Sequence, residues 1–226
     1  MRTGILLPIF QERADAALDV ARRAEAAGID GVFCYDHVWP LGQPSRPALA
    51  PFPVLGLVAA RTRRIAVGTL VARVGLVPDA VLLGELAALS RLAPGRVVAG
   101  LGTGDRLSAG ENEAYGVEFE PSARRRARLR ACVRGARALG LPVWVGGGSP
   151  QIREIASEEG AAVNLWDVPV DVVAALAGHG EVTWGGPLEG PLAPALGRLA
   201  AAGATWAVLA WPVDIDELAD AQRTRT

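Results

Sequence analysis

Gly31-Val-Phe-Cys-Tyr-Asp-His-Val-Trp-Pro40 is the stretch from which the rest of the chain is read. Its first half is an apolar run with the aromatic and β-branched content of a buried strand. That run stops abruptly at Asp36-His37, and Trp39-Pro40 opens a loop. A buried parallel strand stays apolar to its end, yet here an acid and one of the chain's two histidines stand at the strand–loop junction. In a barrel of parallel strands, that junction carries the active site. The residues alone leave three readings of the pair open: a metal pair, a general acid–base pair, or a polar cap on the strand.

Outward from this stretch, short apolar segments alternate with alanine-rich amphipathic ones. Strands are expected at 3–9, 31–35, 65–71, 96–101, 142–145, 162–165, 181–184 and 205–211. Helices are expected at 12–27, 48–62, 78–92, 123–139, 150–159, 170–177, 188–202 and 215–222. Gly28 is placed to stop the first helix, and Pro78 and Pro150 sit near helix starts, where a missing amide proton costs nothing. Eight strand–helix units predict an α/β fold of the (β/α)8 TIM-barrel type, with an open doubly wound sheet as the runner-up. No linker or composition shift divides the chain, so one domain over 1–226 is expected.

Composition removes several classes of function. The chain has 226 residues, a net charge of −1 and a half-hydrophobic composition, which offers no surface for nucleic acid. The densest basic run, 124–137, has helical spacing and reads as a solvated helix face. All 23 basic residues are arginine. Without lysine there is no Schiff-base chemistry, no pyridoxal phosphate anchor and no Walker-type phosphate loop. Cys34 and Cys132 lack metal-ligand or disulfide-framework spacing and fit a reducing cytosol. No apolar stretch reaches the ~18 residues of a membrane span, so a cytoplasmic protein without a membrane partner is expected.

The residues just after each strand form a polar and glycine-rich set. The second strand ends in Asp36-His37, and the third runs into Thr69-Leu70-Val71-Ala72. The fourth ends in Gly102-Thr103-Gly104-Asp105, the fifth in Gly146-Gly147-Gly148-Ser149 and the seventh in Gly185-Gly186. Glycine loops before helices let backbone amides approach an anion; the competing reading is tight βα turns. The other carboxylates and His179 lack ligand spacing around His37, and no metal site is expected. Cys34 is expected to point the same way as Asp36, deeper in the barrel, as packing. Asp105 is the best acid candidate, while Glu111, Asn112 and Glu113 can be read as the start of the next helix. Trp39, Tyr115 and Phe119 are candidate aromatic walls, and the five other tryptophans read as core or interface.

Four ordered motifs carry a resemblance. They are Ala26-Ala-Gly-Ile-Asp-Gly31 leading to Tyr35-Asp-His-Val-Trp39; Ile65-Ala-Val-Gly-Thr-Leu70; Gly95-Arg-Val-Val-Ala-Gly-Leu-Gly-Thr-Gly104; and Val143-Trp-Val-Gly-Gly-Gly-Ser-Pro150. Together they resemble the bacterial luciferase-like superfamily of flavin- and deazaflavin-dependent oxidoreductases, over residues 1 to about 165. An Asp-His after the second strand resembles the coenzyme F420 branch, with FMN as the alternative cofactor.

The resemblance implies that His37 faces the deazaflavin ring near its hydride-transfer carbon and that Asp36 contacts the ring system. Thr69, Leu70 and Val71 pass behind the ring, where the family often has a non-proline cis peptide. Gly102, Thr103 and Gly104 line the cofactor, and Gly147, Gly148 and Ser149 bind its phosphate through backbone amides. Asp105 stands where F420 relatives often have a proton-donating glutamate. Asn112-Glu113 resembles a family Asn-Glu pair, which places Asn112 with the cofactor and Glu113, beside Trp39, in the substrate pocket. The segment between the fourth helix and the fifth strand is shorter than in relatives, which implies a more open pocket. The expected function is hydride transfer between F420 and a small organic substrate, by a homodimer. The alternatives are an FMN-dependent monooxygenase or reductase, a non-catalytic flavin-binding protein, and a phosphosugar-type barrel enzyme without redox chemistry.

Overall fold

The computed structural model describes residues 1–40 and 42–224; Leu41 and the last two residues, which the expected single domain includes, lie outside the described residues. The strands are β1 (Arg2–Leu6), β2 (Gly31–Cys34), β3 (Ala66–Thr69), β4 (Ala72–Arg73), β5 (Val97–Gly102), β6 (Val143–Gly146), β7 (Ala162–Trp166), β8 (Val182–Gly186) and β9 (Ala204–Leu209). The sheet runs β3-β2-β1-β9-β8-β7-β6-β5-β4. Pairing of β3 with β5, Val67 against Val97 and Gly68 against Val98, closes it. This is a (β/α)8 barrel, and closure removes the open-sheet runner-up.

The expected strand 65–71 is split. After Thr69 the chain leaves the ladder, passes through a cis peptide between Leu70 and Val71, and rejoins as β4, with Ala72 against Leu101 and Arg73 against Gly102. The interruption re-aims the upper part of the third barrel strand, as bulges beside active sites do.

Around the barrel lie α1 (Asp15–Ala27), α2 (Pro51–Arg61), α3 (Asp79–Leu92), α4 (Ala109–Ala114), α5 (Ser122–Ala138), α6 (Pro150–Glu158), α7 (Val170–Ala177), α8 (Leu192–Ala201) and α9 (Ile215–Arg223). Gly28 ends α1 with φ 86°, and Pro150 opens α6. The carbonyls that α2 leaves at its C-terminus are taken by Arg96, which reaches Ala59 O at 2.9 Å and, just beyond the helix, Ile65 O at 3.0 Å. The basic run is largely paired: Arg130 and Arg134 on α5 bind Glu158 and Glu159, and Arg128 binds Glu120.

Inside the barrel, Phe33 stacks on Trp144 at 5.0 Å between ring centroids, and Trp206 meets them edge-on at 5.7 and 5.3 Å. Glycines make the room. A Cβ on Gly4 would lie 2.9 Å from the Phe33 ring, and one on Gly31 2.9 Å from both Phe33 and Trp206. Large rings set against absent side chains fill a small barrel without strain. Val32 and Cys34 pack in the outer layer with Val54, Val58 and Val67, so the period of two along β2 sends Phe33 inward and Cys34 outward. Cys34 therefore packs under the helices, not deep in the barrel. Its burial pushes the thiol far above the usual range.

Candidate active site

At the C-terminal ends of the strands lies a cavity of about 400 Å³. Its walls are largely backbone: Gly102-Thr103-Gly104 at the end of β5, Gly146-Gly147-Gly148-Ser149 at the end of β6, and the Leu70-Val71 turn-out between β3 and β4. Tyr35, Asn164 and Trp166 complete it, and Trp166 sits edge-on to Tyr35 with centroids 5.6 Å apart. The glycines that end β5 and β6 let these walls close over Val71. A Cβ on Gly102 would fall 2.5 Å from Val71 Cγ2, and one on Gly146 2.9 Å from the same atom. Arg125 reaches up from α5 to the Thr103 and Gly104 carbonyls at 2.6 and 2.7 Å, its guanidinium 4.1 Å above the Phe119 ring. One member of the run read as a solvated face thus clamps a wall of the cavity.

Beside the mouth, a chain of polar contacts crosses from β2 to α4. His37 Nδ1 lies 2.8 Å from Glu111 Oε1, and Arg73 Nη2 donates to Glu111 Oε2 at 2.7 Å. The Arg73 backbone N–H donates to Asp36 Oδ2 at 2.8 Å. Glu111 is fully buried and Arg73 nearly so, which a charged pair tolerates when each group is hydrogen-bonded. Burial raises the Asp36 carboxyl above the usual range, and the Arg73 N–H only partly offsets it. The Tyr35 hydroxyl is raised by burial as well, and so is Glu85, by burial and by the nearby Asp36.

The structure brings most of the sequence-derived site residues to this face. Leu70, Val71, Gly102, Thr103, Gly104, Asp105, Gly147, Gly148 and Ser149 line the mouth cavity. Asp36 and His37 instead line a second hollow of about 100 Å³ with Glu85 and Tyr115, the His37 ring lying 6.1 Å from that of Tyr35, which lines the mouth cavity. Thr69 turns away from the mouth and donates to Gly100 O at 2.7 Å. Asp105 spends Oδ1 on the Leu107 and Ser108 amides, capping the 3₁₀ turn Arg106–Ser108. Gly147 N–H is bonded to Asn164 O at 2.9 Å, whereas the Gly148 and Ser149 amides have no partner among the described residues.

Three residues sit elsewhere. Asn112 is buried, 3.4 Å from the Gly75 and Glu118 carbonyls, and braces a loop. Glu113 is exposed on α4, and Trp39 is half-buried outside the mouth. Sequence reasoning missed Arg73, Glu111, Tyr35, Asn164 and Trp166. For Glu111 the available signal was position alone, four residues before Tyr115 on what reads as a helix start; Arg73 sits in the split strand. Trp166 was assigned to core or interface and proves 44% exposed at the cavity.

A closed eight-stranded parallel barrel with its cleft at the strand C-termini defines a TIM-barrel protein. Residues 1–140 match the family described as luciferase-like monooxygenase, and the chain belongs to that family. Among sequence relatives, an F420-dependent glucose-6-phosphate dehydrogenase of Kineococcus radiotolerans is 34% identical over 177 residues, covering 74% of this chain and 48% of that protein. An F420-dependent hydroxymycolic acid dehydrogenase of Mycobacterium tuberculosis is 35% identical over 106 residues, 46% of this chain and 29% of that protein. The chain thus spans about half the length of the first of these relatives. Among solved structures, an F420-dependent secondary alcohol dehydrogenase in complex with an F420-acetone adduct superposes with a TM-score of 0.80 at 15% identity, over 97% of both chains. Among the described residues, no helix is long and apolar enough to cross a membrane, and no cluster of three or more histidine, cysteine or acidic side chains could hold a metal.

Proposed function

We propose that this chain is an F420-dependent oxidoreductase acting on a small organic substrate that carries a hydroxyl group. The observation that carries the reading is His37, braced by a buried carboxylate and 6.1 Å from the ring of Tyr35, which lines a cavity walled by glycine backbone and the turn-out between β3 and β4. Both sequence relatives above are named as F420-dependent dehydrogenases of hydroxylated compounds, which supports the cofactor and the substrate class.

The residues present fit a deazaflavin. The Leu70-Val71 turn-out and Gly102–Gly104 offer flat backbone walls to a ring. The unpartnered amides of Gly148 and Ser149, at the N-terminus of α6, suit its anionic tail. Bound F420 supplies the two-electron hydride acceptor or donor. His37 receives or returns the hydroxyl proton of the substrate, and Asp36 holds the Arg73 backbone that positions the ring wall. Asp105 keeps its second carboxylate oxygen for a polar group of substrate or cofactor, and Trp166 covers the mouth. In the phosphosugar reading, the last two strand ends would bind phosphate. Here the α8 start is met by Glu217 through the Leu192 N–H at 3.0 Å, and Asp214 caps α9; these acids disfavour a phosphate. Exposed Val81 and Leu92 on α3 support a homodimer, and two buried free thiols support a cytoplasmic setting.

The test is turnover. With F420 and a panel of secondary alcohols and sugar phosphates, wild type bleaches the deazaflavin absorbance, and His37→Ala slows it by about a hundredfold or more. Turnover only with FMN would transfer the reading to the FMN alternative. Cofactor binding without turnover on any substrate would favour the non-catalytic binder.

A further inference from the structure

We propose that Glu111 is a positioning residue: its carboxylate fixes His37 as the tautomer with the proton on Nδ1 and leaves Nε2 as the acceptor. The contact is short, 2.8 Å from Nδ1 to Oε1, and Glu111 is fully buried. An ionised carboxylate can only accept hydrogen bonds. A ring nitrogen held that close to it must therefore carry a proton. The carboxylate is kept ionised and in place by the Arg73 guanidinium on its other oxygen at 2.7 Å. Arg73 is itself fixed through its backbone N–H to Asp36 and a second donor nitrogen on Ser108 O at 3.3 Å.

The other ring nitrogen is free to act. Nε2 makes no hydrogen bond among the described residues and is not one of the buried unpaired atoms; the side chain keeps 24% of its exposure. In a neutral ring with Nδ1 protonated, Nε2 holds the lone pair. It can take a substrate hydroxyl proton, after which the imidazolium is stabilised from behind by Glu111. The arrangement follows the logic by which a buried acid orients a catalytic histidine, here with the acid delivered from the short α4 and its partner Arg73 from the split third strand.

Glu111→Gln makes the idea sharp. Arg73 can only donate, so it holds the amide oxygen where Oε2 was and turns the amide NH2 towards His37. Nδ1 must then accept, and the ring proton moves to Nε2. The substitution keeps the shape of the side chain and reverses the tautomer.

The measurement is long-range 1H–15N correlation of the histidine rings in the cofactor-free protein, at a pH where the rings are neutral. The chain has two histidines, so His179→Gln, on an exposed loop, assigns the signals. The expected wild-type spectrum has a pyrrole-type Nδ1 and a pyridine-type Nε2, and E111Q exchanges them. A wild-type ring protonated at Nε2, or averaging between tautomers, overturns the proposal whether or not E111Q folds. A folded E111Q with an unchanged tautomer overturns it too. The role in turnover rests on the F420 reading above: there E111Q lowers kcat by about a hundredfold or more and alters its pH profile, with KM little changed. If the tautomer reverses but no F420 turnover exists in any form, the functional reading fails and the positioning role stands.

Discussion

Asp36 shows how a single group at this site should answer to pH. Its carboxyl is desolvated beneath α2 and α3, so its folded pKa lies above the unfolded value of about 3.9. Between those two values the folded protein holds a proton that the unfolded chain has released. Stability is therefore lost as pH rises through this window and stays lower above it. Asp36→Asn keeps an oxygen for the Arg73 N–H and removes the titration. In urea unfolding, the variant should gain on wild type as pH is raised from about 4 to about 7; a difference between the two that is flat with pH would show that Asp36 is not desolvated. The Asp36-His37 pair itself was legible in the sequence, because a polar break in an apolar run is rare. What it touches was not. The partner of His37 lies 74 positions away, and no spacing rule joins a strand end to the third helix beyond it. The misplaced Cys34 is a plainer lesson: once Phe33 is assigned to the barrel interior, the period of two alone sends its neighbour outward.

At the scale of elements, most segments were readable, down to the eight residues of α7, expected at 170–177 and found there, but the very shortest were not. Helices of nine or more residues, such as α1 and α5, bury a stripe wide enough to leave a pattern. α4, with six residues, and β4, with two, cannot, yet these two deliver Glu111 and Arg73. The strand-end glycines were read as anion-approaching loops or tight turns, whereas several within the strands exist for close packing. Gly100 and Gly84 separate the two roles. A Cβ on Gly100 would meet Thr69 O at 2.0 Å, whereas one on Gly84 in α3 meets nothing within 4 Å. Gly100→Ala should cost about 3 kcal/mol or more by overpacking β3 against β5. Gly84→Ala should stabilise by about 1 kcal/mol through helix propensity. Denaturant midpoints would check both, and equal effects at the two positions would mean that the barrel closes less tightly than described.

For the whole molecule, eight alternating units favoured a closed barrel, but helices covering both faces of a parallel sheet also suit an open doubly wound one, and it is the pairing of β3 with β5 that decides. The glycine loops at the strand ends line the cavity on the C-terminal face of the barrel, where the candidate site is placed. The cavity there is open, with Trp166 as its main exposed cover and only a short link, 139–142, from α5 to β6. The account rests on that mouth receiving a deazaflavin. The direct measurement is parallel titration of the purified protein with F420 and with FMN, followed by difference spectra and by quenching of tryptophan emission, in wild type and Trp166→Phe. The account predicts saturable F420 binding that quenches Trp166, a smaller quench with binding retained in the variant, and weaker binding of FMN. Tight FMN binding with no F420 binding, or F420 binding that leaves Trp166 emission untouched, would contradict it.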